Sequence, residues 1–183
     1  MQGEWNTRGR AHVYGDNIVH DNGMMEWKHV IERQTDPAIL IPCLFTAIDP
    51  AFASRVQPGD FVVAGQKFGS GKAHTTAYIA LAALGIRILC ESTFERVIGG
   101  AVNLGVPIMG KCEGITLIVS MGDEIEVDMA TGEVTNLTTG VSHNYPPVPE
   151  GLRQILRDGG RKGFLQKWLI THPELAQALE MQA

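Results

Sequence analysis

Lys72 and His74 stand just behind a glycine-rich turn, in the stretch FVVAGQKFGSGKAHTTAYIALAALG at 61–85. Lysine brings a cation, and histidine brings a group that gains and loses a proton near neutral pH. Gly69, Ser70 and Gly71 let the backbone approach a ligand closely, and the free amides of the helix opening at Thr75 favour negative charge. Gly69, Ser70, Gly71, Lys72, His74 and Thr75 are therefore the candidate anion site. The plainer reading of the same residues is a tight turn with a solvated lysine.

Two familiar phosphate loops do not fit. A Walker-type loop places four residues between its glycines and a hydroxyl residue after its lysine, because loop length sets the amide cradle and the hydroxyl holds magnesium. Here five residues separate Gly65 from Gly71, and Ala73 follows Lys72. The dinucleotide fingerprint fails too, since no glycine stands three residues beyond Gly71.

The elements that would position this turn can be read on either side of it. FVVA at 61–64 is a β-branched run of strand length, Thr75–Leu84 suits a buried helix stopped by Gly85, and IRILCE returns as a strand. Residues 61–91 thus predict a strand-helix-strand crossover. Upstream, AHVYGDNIV at 11–19 predicts a strand broken at Gly15-Asp16-Asn17, 20–34 shows no clean helical stripe, and Asp49-Pro50 predicts a capped short helix. Downstream, Ser92 or Thr93 is positioned to cap a helix ending before Gly105, and VPIM follows as a strand. The alternation over 115–137, with turns at Gly122-Asp123 and Thr131-Gly132, predicts an antiparallel meander. A helix interrupted at Gly159-Gly160 and a short one after Pro173 complete the chain. The class is α/β with a mixed sheet, expected as one unit over 1–183 with a helical tail from about 150.

Composition narrows the partners. With 183 residues, 44% of them hydrophobic, the chain can bury one sizeable core. A net charge of −5 without Lys/Arg clusters speaks against a nucleic-acid surface. No apolar run approaches membrane-span length and MQGEWNTRGR lacks the apolar core of a signal peptide, so the expected setting is the cytoplasm, away from membranes. The three cysteines, Cys43, Cys90 and Cys112, are scattered without a Cys-x-x-Cys spacing, so they predict buried apolar residues, not an iron-sulfur or zinc site.

Taken together, GDNIVHD (15–21), DPAFASRVQPGDFVVAGQKFGSG (49–71), ALGIRILCESTFERV (83–97), NLGVPIM (103–109) and MGDEIEVDMATGEVTN (121–136) resemble the small subunit of isopropylmalate isomerase, also called 3-isopropylmalate dehydratase. The resemblance spans nearly the whole chain and implies the swivelling β/β/α domain of the aconitase superfamily. It implies a hydro-lyase acting on a hydroxy di- or tricarboxylate, active only with a large subunit in a heterodimer or larger assembly. In that family the iron-sulfur cluster belongs to the large subunit, so no cofactor is expected on this chain alone. A non-catalytic or regulatory protein that kept the fold without the chemistry is the alternative.

The resemblance breaks at the chemistry. Where the family has Ser-Ser-Arg-Glu-His after its glycine turn, this chain has Lys72, Ala73, His74, Thr75 and Thr76. The family's Asp-Thr-Asp becomes Val19, His20 and Asp21, and its substrate loop is replaced by Met24, Met25, Glu26, Trp27 and Lys28. Asp21 and Lys28 join the substrate-binding candidates on this ground, while Trp27 and Met25 suit packing or a partner surface. Lys72 can replace the family's serine base if burial strips its amine of water, and His74 can then hold a carboxylate through one donor. Alternatively Lys72 clamps the carboxylate and His74 moves the proton. Both assignments stand at this point, and loss of the bidentate arginine predicts a substrate other than isopropylmalate. For the cysteines the expectation is direct: purified alone, with iron and sulfide under anaerobic conditions, this chain shows no stable stoichiometric cluster in its absorption spectrum.

Overall fold

The computed structural model describes residues 5–72 and 74–173. Its centre is a seven-stranded sheet in the order β4-β3-β2-β1-β5-β6-β7. Strand β1 (Asn6–Tyr14) runs parallel to β2 (Phe61–Ala64), which runs parallel to β3 (Arg87–Cys90) and then β4 (Ile108–Met109). On its other side β1 pairs antiparallel with β5 (Glu124–Asp128), followed by β6 (Glu133–Asn136) and β7 (Ser142–Asn144). β1 is therefore the strand where a parallel α/β half meets an antiparallel meander. Its sequence shows the change: Asn6–Arg10 alternates between exposed and half-buried, whereas Ala11, His12 and Tyr14 are buried.

The parallel half carries the crossover helices. FVVA is wholly buried, as expected of a central parallel strand. Helix α4 (Thr76–Ala83) follows β2 and ends in a Schellman cap: Gly85 donates to the Ala82 carbonyl at 3.0 Å and Ile86 to Leu81 at 3.0 Å. Gly85 has φ +65°, a conformation glycine adopts without steric cost. Helix α5 (Glu95–Asn103) joins β3 to β4 and buries Val97, Ala101 and Val102. Helix α7 (Glu150–Arg157) brings Leu156 to the core, with Leu152 and Ile155 packed against it, while α8 (Arg161–Thr171) has no buried residue.

Short helices fill the long connection from β1 to β2: α1 (Trp27–Ile31), α2 (Pro37–Leu40) and α3 (Phe52–Arg55), with a 3-10 turn over Ile41–Cys43. Here the Asp-Pro cap operates at Asp36-Pro37, where the Asp36 carboxylate accepts from the Ala38 amide at 2.9 Å. At Asp49-Pro50 the expectation fails. Ala51 is the cap residue of α3 with no side-chain bond, because Asp49 is taken by the Tyr14 hydroxyl at 2.7 Å and by Arg55.

Other expectations change for equally local reasons. Strand β1 begins at Asn6, five residues before the expected start, because the meander strand β5 pairs with its polar half. ITLI at 115–118 forms the one-turn helix α6, not a strand, since β1 already has a neighbour on each side. Ser92 and Thr93 do not cap α5, whose cap is Phe94. Their hydroxyls bond Lys67 N–H at 2.9 Å and the Phe68 carbonyl at 2.7 Å. The helix expected after Pro173 lies outside the described residues.

A buried carboxylate ties the two central strands together. Asp60 accepts from the Arg10 amide at 3.0 Å and the Gln57 amide at 2.8 Å, and its Oδ2 lies 2.9 Å from His12 Nε2. Burial opposes its charge, yet bonds from His12, Gln57 and Arg10 hold its carboxyl below the ordinary range. Removing it strands one buried and two part-buried partners, so Asp60→Ala should cost about 3 kcal/mol. Urea unfolding midpoints at neutral pH check this.

Candidate functional site

The glycine turn is held by continuing the parallel pairing of β1 and β2 past the ends of both strands. The Asn17 amide donates to the Gln66 carbonyl at 2.7 Å, and Gly69 and Ser70 donate to the Ile18 carbonyl at 2.8 and 3.3 Å. His20 then donates to Ser70 at 3.1 Å, and Val19 bridges Ser70. A third loop joins from β3, where Phe68 donates to the Ser92 carbonyl at 3.0 Å. The turn thus lies beyond the C-terminal ends of the parallel strands, where open α/β sheets bind ligands.

This pairing changes what the turn can do. The amides of Gly69 and Ser70 are spent on Ile18, so they do not form a free anion cradle. Gly69 serves another need: a Cβ there would come within 2.8 Å of Val97 and 3.4 Å of His20 Nε2. Gly71 is open on its side-chain face, and its carbonyl accepts from Arg96 at 3.1 Å. Ser70 is half-buried, and Thr75 is exposed as the cap residue of α4 with no side-chain bond.

Lys72, His74, Thr75 and Thr76 line one cleft of about 480 Å³ together with residues of the α1 region, among them Trp27, Val30, Ile31 and Arg33. No lining residue is acidic and three are lysine, arginine or histidine, so the cleft suits an anion. His74 is half-buried and its ring meets the Trp27 ring edge-on, with centroids 5.5 Å apart. Asp21 Oδ1 lies 3.3 Å from His74 Nε2, and both atoms are shielded from solvent without a hydrogen bond among the described residues. A carboxylate this close to an imidazole orients the ring. Lys72 is exposed, so the burial required of a lysine base is absent.

Two candidates from the replaced substrate loop fare differently. Lys28 pairs with Glu26 at 2.6 Å and stands outside the cleft lining. Trp27, read in the sequence as a packing or partner-surface residue, forms part of the cleft wall, whereas Met24 and Met25 are buried.

Beneath the turn, His20 is buried, with Nε2 3.3 Å from the Tyr78 hydroxyl and the two rings edge-on at 5.3 Å. Burial pushes the His20 imidazole down to about 4, and the charges of His74 and Arg96 act in the same direction. The sequence showed His20 only as a departure from a pattern. Tyr78, inside an apolar helix, gave no sign of a polar contact.

The cysteines do not build a metal site. Cys90 and Cys112 are fully buried and burial pushes both thiols up, Cys112 to about 12, while Cys43 lies half-buried at the end of the 3-10 turn. Among the described residues no group of three His, Cys, Asp or Glu side chains is arranged to hold a metal. Nor is any described helix long and apolar enough to cross a membrane.

No protein-family model matches the chain. Curated proteins do. The isopropylmalate/citramalate isomerase small subunit of Methanocaldococcus jannaschii is 35% identical over 161 residues, covering 87% of this chain and 94% of that protein. The 3-isopropylmalate dehydratase small subunit of Thermodesulfovibrio yellowstonii is 33% identical over 163 residues, covering 88% and 95%. Among solved structures, 3-isopropylmalate dehydratase from Methanocaldococcus jannaschii superposes with a TM-score of 0.80 at 28% identity, over 92% of this chain and 98% of that one.

The buried imidazole sets a pH dependence. Since His20 titrates at about 4 in the folded chain against 6.5 unfolded, the unfolded state binds the extra proton between these values. Stability is therefore full above about pH 6.5 and falls toward pH 4, by up to about 3 kcal/mol from this group. As pH is lowered from 7 to 4, urea midpoints should fall more steeply for the native chain than for His20→Gln.

Proposed function

This chain belongs to the family of 3-isopropylmalate dehydratase small subunits, hydro-lyase subunits that work with a large subunit, and we propose that its site uses histidine in place of the family's serine. On this reading His74 is the acid-base group, Asp21 orients it, and Lys72 holds a carboxylate of the substrate. The observation that carries it is Asp21 Oδ1 at 3.3 Å from His74 Nε2, beside a cleft with no acidic lining.

The chemistry follows from the groups. Abstracting a proton next to a carboxylate leaves negative charge on the substrate, and Lys72 at the cleft rim offsets it. The imidazole takes the proton at Nδ1, since Nε2 faces Asp21, which stabilises the resulting cation. Trp27 covers one edge of the His74 ring and limits its contact with water. The lysine of this turn is exposed, which favours the clamp role for it over the base role.

The iron-sulfur cluster belongs, on this reading, to the large subunit, since the three cysteines of this chain are scattered without a Cys-x-x-Cys spacing. The substrate is a hydroxy di- or tricarboxylate or its unsaturated partner. Isopropylmalate itself is disfavoured, because the turn that clamps a carboxylate with arginine in the family carries Lys72 and His74 here.

The test assembles the chain with its cognate large subunit and follows the conjugated double bond through isopropylmalate, citrate, homocitrate, citramalate, malate and tartrate. The expected result is turnover of at least one of these with a higher kcat/KM than isopropylmalate. With that substrate, His74→Gln should lower kcat about a hundredfold or more, and Asp21→Asn by less. Lys72→Ala should act mainly on KM. Highest kcat/KM for isopropylmalate would refute the substrate assignment, and an unchanged His74→Gln rate would refute the base.

A further inference from the structure

Cys90 and Cys112 take no part in the chemistry proposed above, yet the fold makes them neighbours. Cys90 is the last residue of β3, and Cys112 lies in the loop that leaves β4. The Cys112 amide donates to the Cys90 carbonyl at 2.9 Å, which sets the two backbones side by side. Both side chains then turn to one oxygen: the Met109 carbonyl lies 3.8 Å from Cys90 Sγ and 3.6 Å from Cys112 Sγ. Two sulfurs converge at a point closed to solvent, since both residues are 0% exposed. The third cysteine is engaged elsewhere, with Cys43 Sγ 3.4 Å from the Ile39 carbonyl.

A disulfide needs two Cα atoms roughly 4.4–6.8 Å apart and side chains that face each other. Residues joined by a backbone hydrogen bond meet the first condition, and a shared acceptor meets the second. The surrounding loops are already tied, because the Thr116 hydroxyl donates to Glu91 and a Cβ on Gly110 would come within 2.5 Å of Thr93. Rotation of the two side chains thus suffices to bring the sulfurs to bonding distance, about 2.05 Å, without parting the backbones. In the folded chain, however, both thiols keep their protons and neither is a nucleophile. The bond must therefore form while the chain is open, with the native backbone selecting the pair.

We propose that Cys90 and Cys112 are an oxidation site, closing to an intrachain disulfide by exchange with a small-molecule disulfide as the chain folds. One cysteine thiolate attacks a sulfur of that disulfide, giving a mixed disulfide and releasing one thiol. The second cysteine attacks the mixed disulfide at the protein sulfur and releases the other thiol. Two protein thiols are oxidised, one small disulfide is reduced, and both cysteine protons leave with the released thiols. The bond joins β3 to the loop after β4 directly before Ser92 and Thr93, which hold Lys67 and Phe68 at the glycine turn. It stands apart from the hydro-lyase reading, which neither requires nor forbids it.

The full chain, reduced and unfolded in urea, is refolded in glutathione and glutathione disulfide, alkylated, and mapped without reduction. The expected product carries one disulfide, Cys90–Cys112, with Cys43 alkylated. Oxidised while still in urea, the chain should give all three pairings together. Cys43→Ser, which leaves the buried pair untouched, should form the same bond, and its oxidised form should melt about 5 °C or more above its reduced form. Folded before the mixture is added, the reduced chain should close at least about tenfold more slowly than the open chain. Cys90 and Cys112 both alkylated at every ratio of glutathione disulfide to glutathione overturns the site. The same spread of pairings after refolding as in urea overturns selection by the fold. An oxidised Cys43→Ser chain that melts no higher than the reduced one overturns the fit of the bond to the native backbone, and equal rates for folded and open chains overturn the protection by burial.

Discussion

The site depends on the Ile18 carbonyl. By accepting from both Gly69 and Ser70, it prolongs the parallel pairing of β1 and β2 beyond the last residues of either strand. Two connections far apart in the chain are thereby locked side by side, and each contributes a different kind of group. The first brings His20 and Asp21; the second brings Lys72 and His74. Without that pairing, Asp21 and His74 have no reason to meet, because neither belongs to a helix or strand. The glycine at 69 follows from the same constraint, since Val97 and His20 leave no room for a Cβ above them.

Electrostatics then separates the two histidines of the site. His20 lies in the floor, against Tyr78, and burial together with the charge of His74 and Arg96 keeps it neutral. His74 lies half-buried at the cleft, with a carboxylate beside it. One ring is kept neutral by burial while the other has a carboxylate beside it. Two identical side chains from neighbouring loops are given distinct characters by burial and by the sign of the nearest charge.

The antiparallel half of the sheet works as a buttress. β5 pairs with the polar half of β1, and Asp60 grips the same strand from the β2 side through His12 and the Arg10 amide. β1 is thus fixed on both edges before it releases the chain into the loop that carries the site. A one-residue slip of β1 would exchange buried Ala11 and exposed Arg10 between the faces of the sheet, which is why its register is secure.

The sequence by itself determined what local chemistry decides. FVVA, the helix closed by Gly85, the returning strand IRILCE and the turns at Gly122 and Thr131-Gly132 were all legible, because buried parallel strands and left-handed caps demand particular residue types. The resemblance across the chain made the family legible as well, and it drew attention to Lys72, His74 and Asp21 as candidates. Tertiary structure decided everything that required a partner. ITLI has the alternation of a strand, yet with both edges of β1 occupied it closes into a helical turn. Asp49-Pro50 reads as a cap, yet Tyr14 and Arg55 claim the carboxylate. Lys28 is a cation in the right segment, but Glu26 holds it outside the cleft. Residue type fixes what a side chain can do; which neighbours it meets is set by strands and loops distant in the chain.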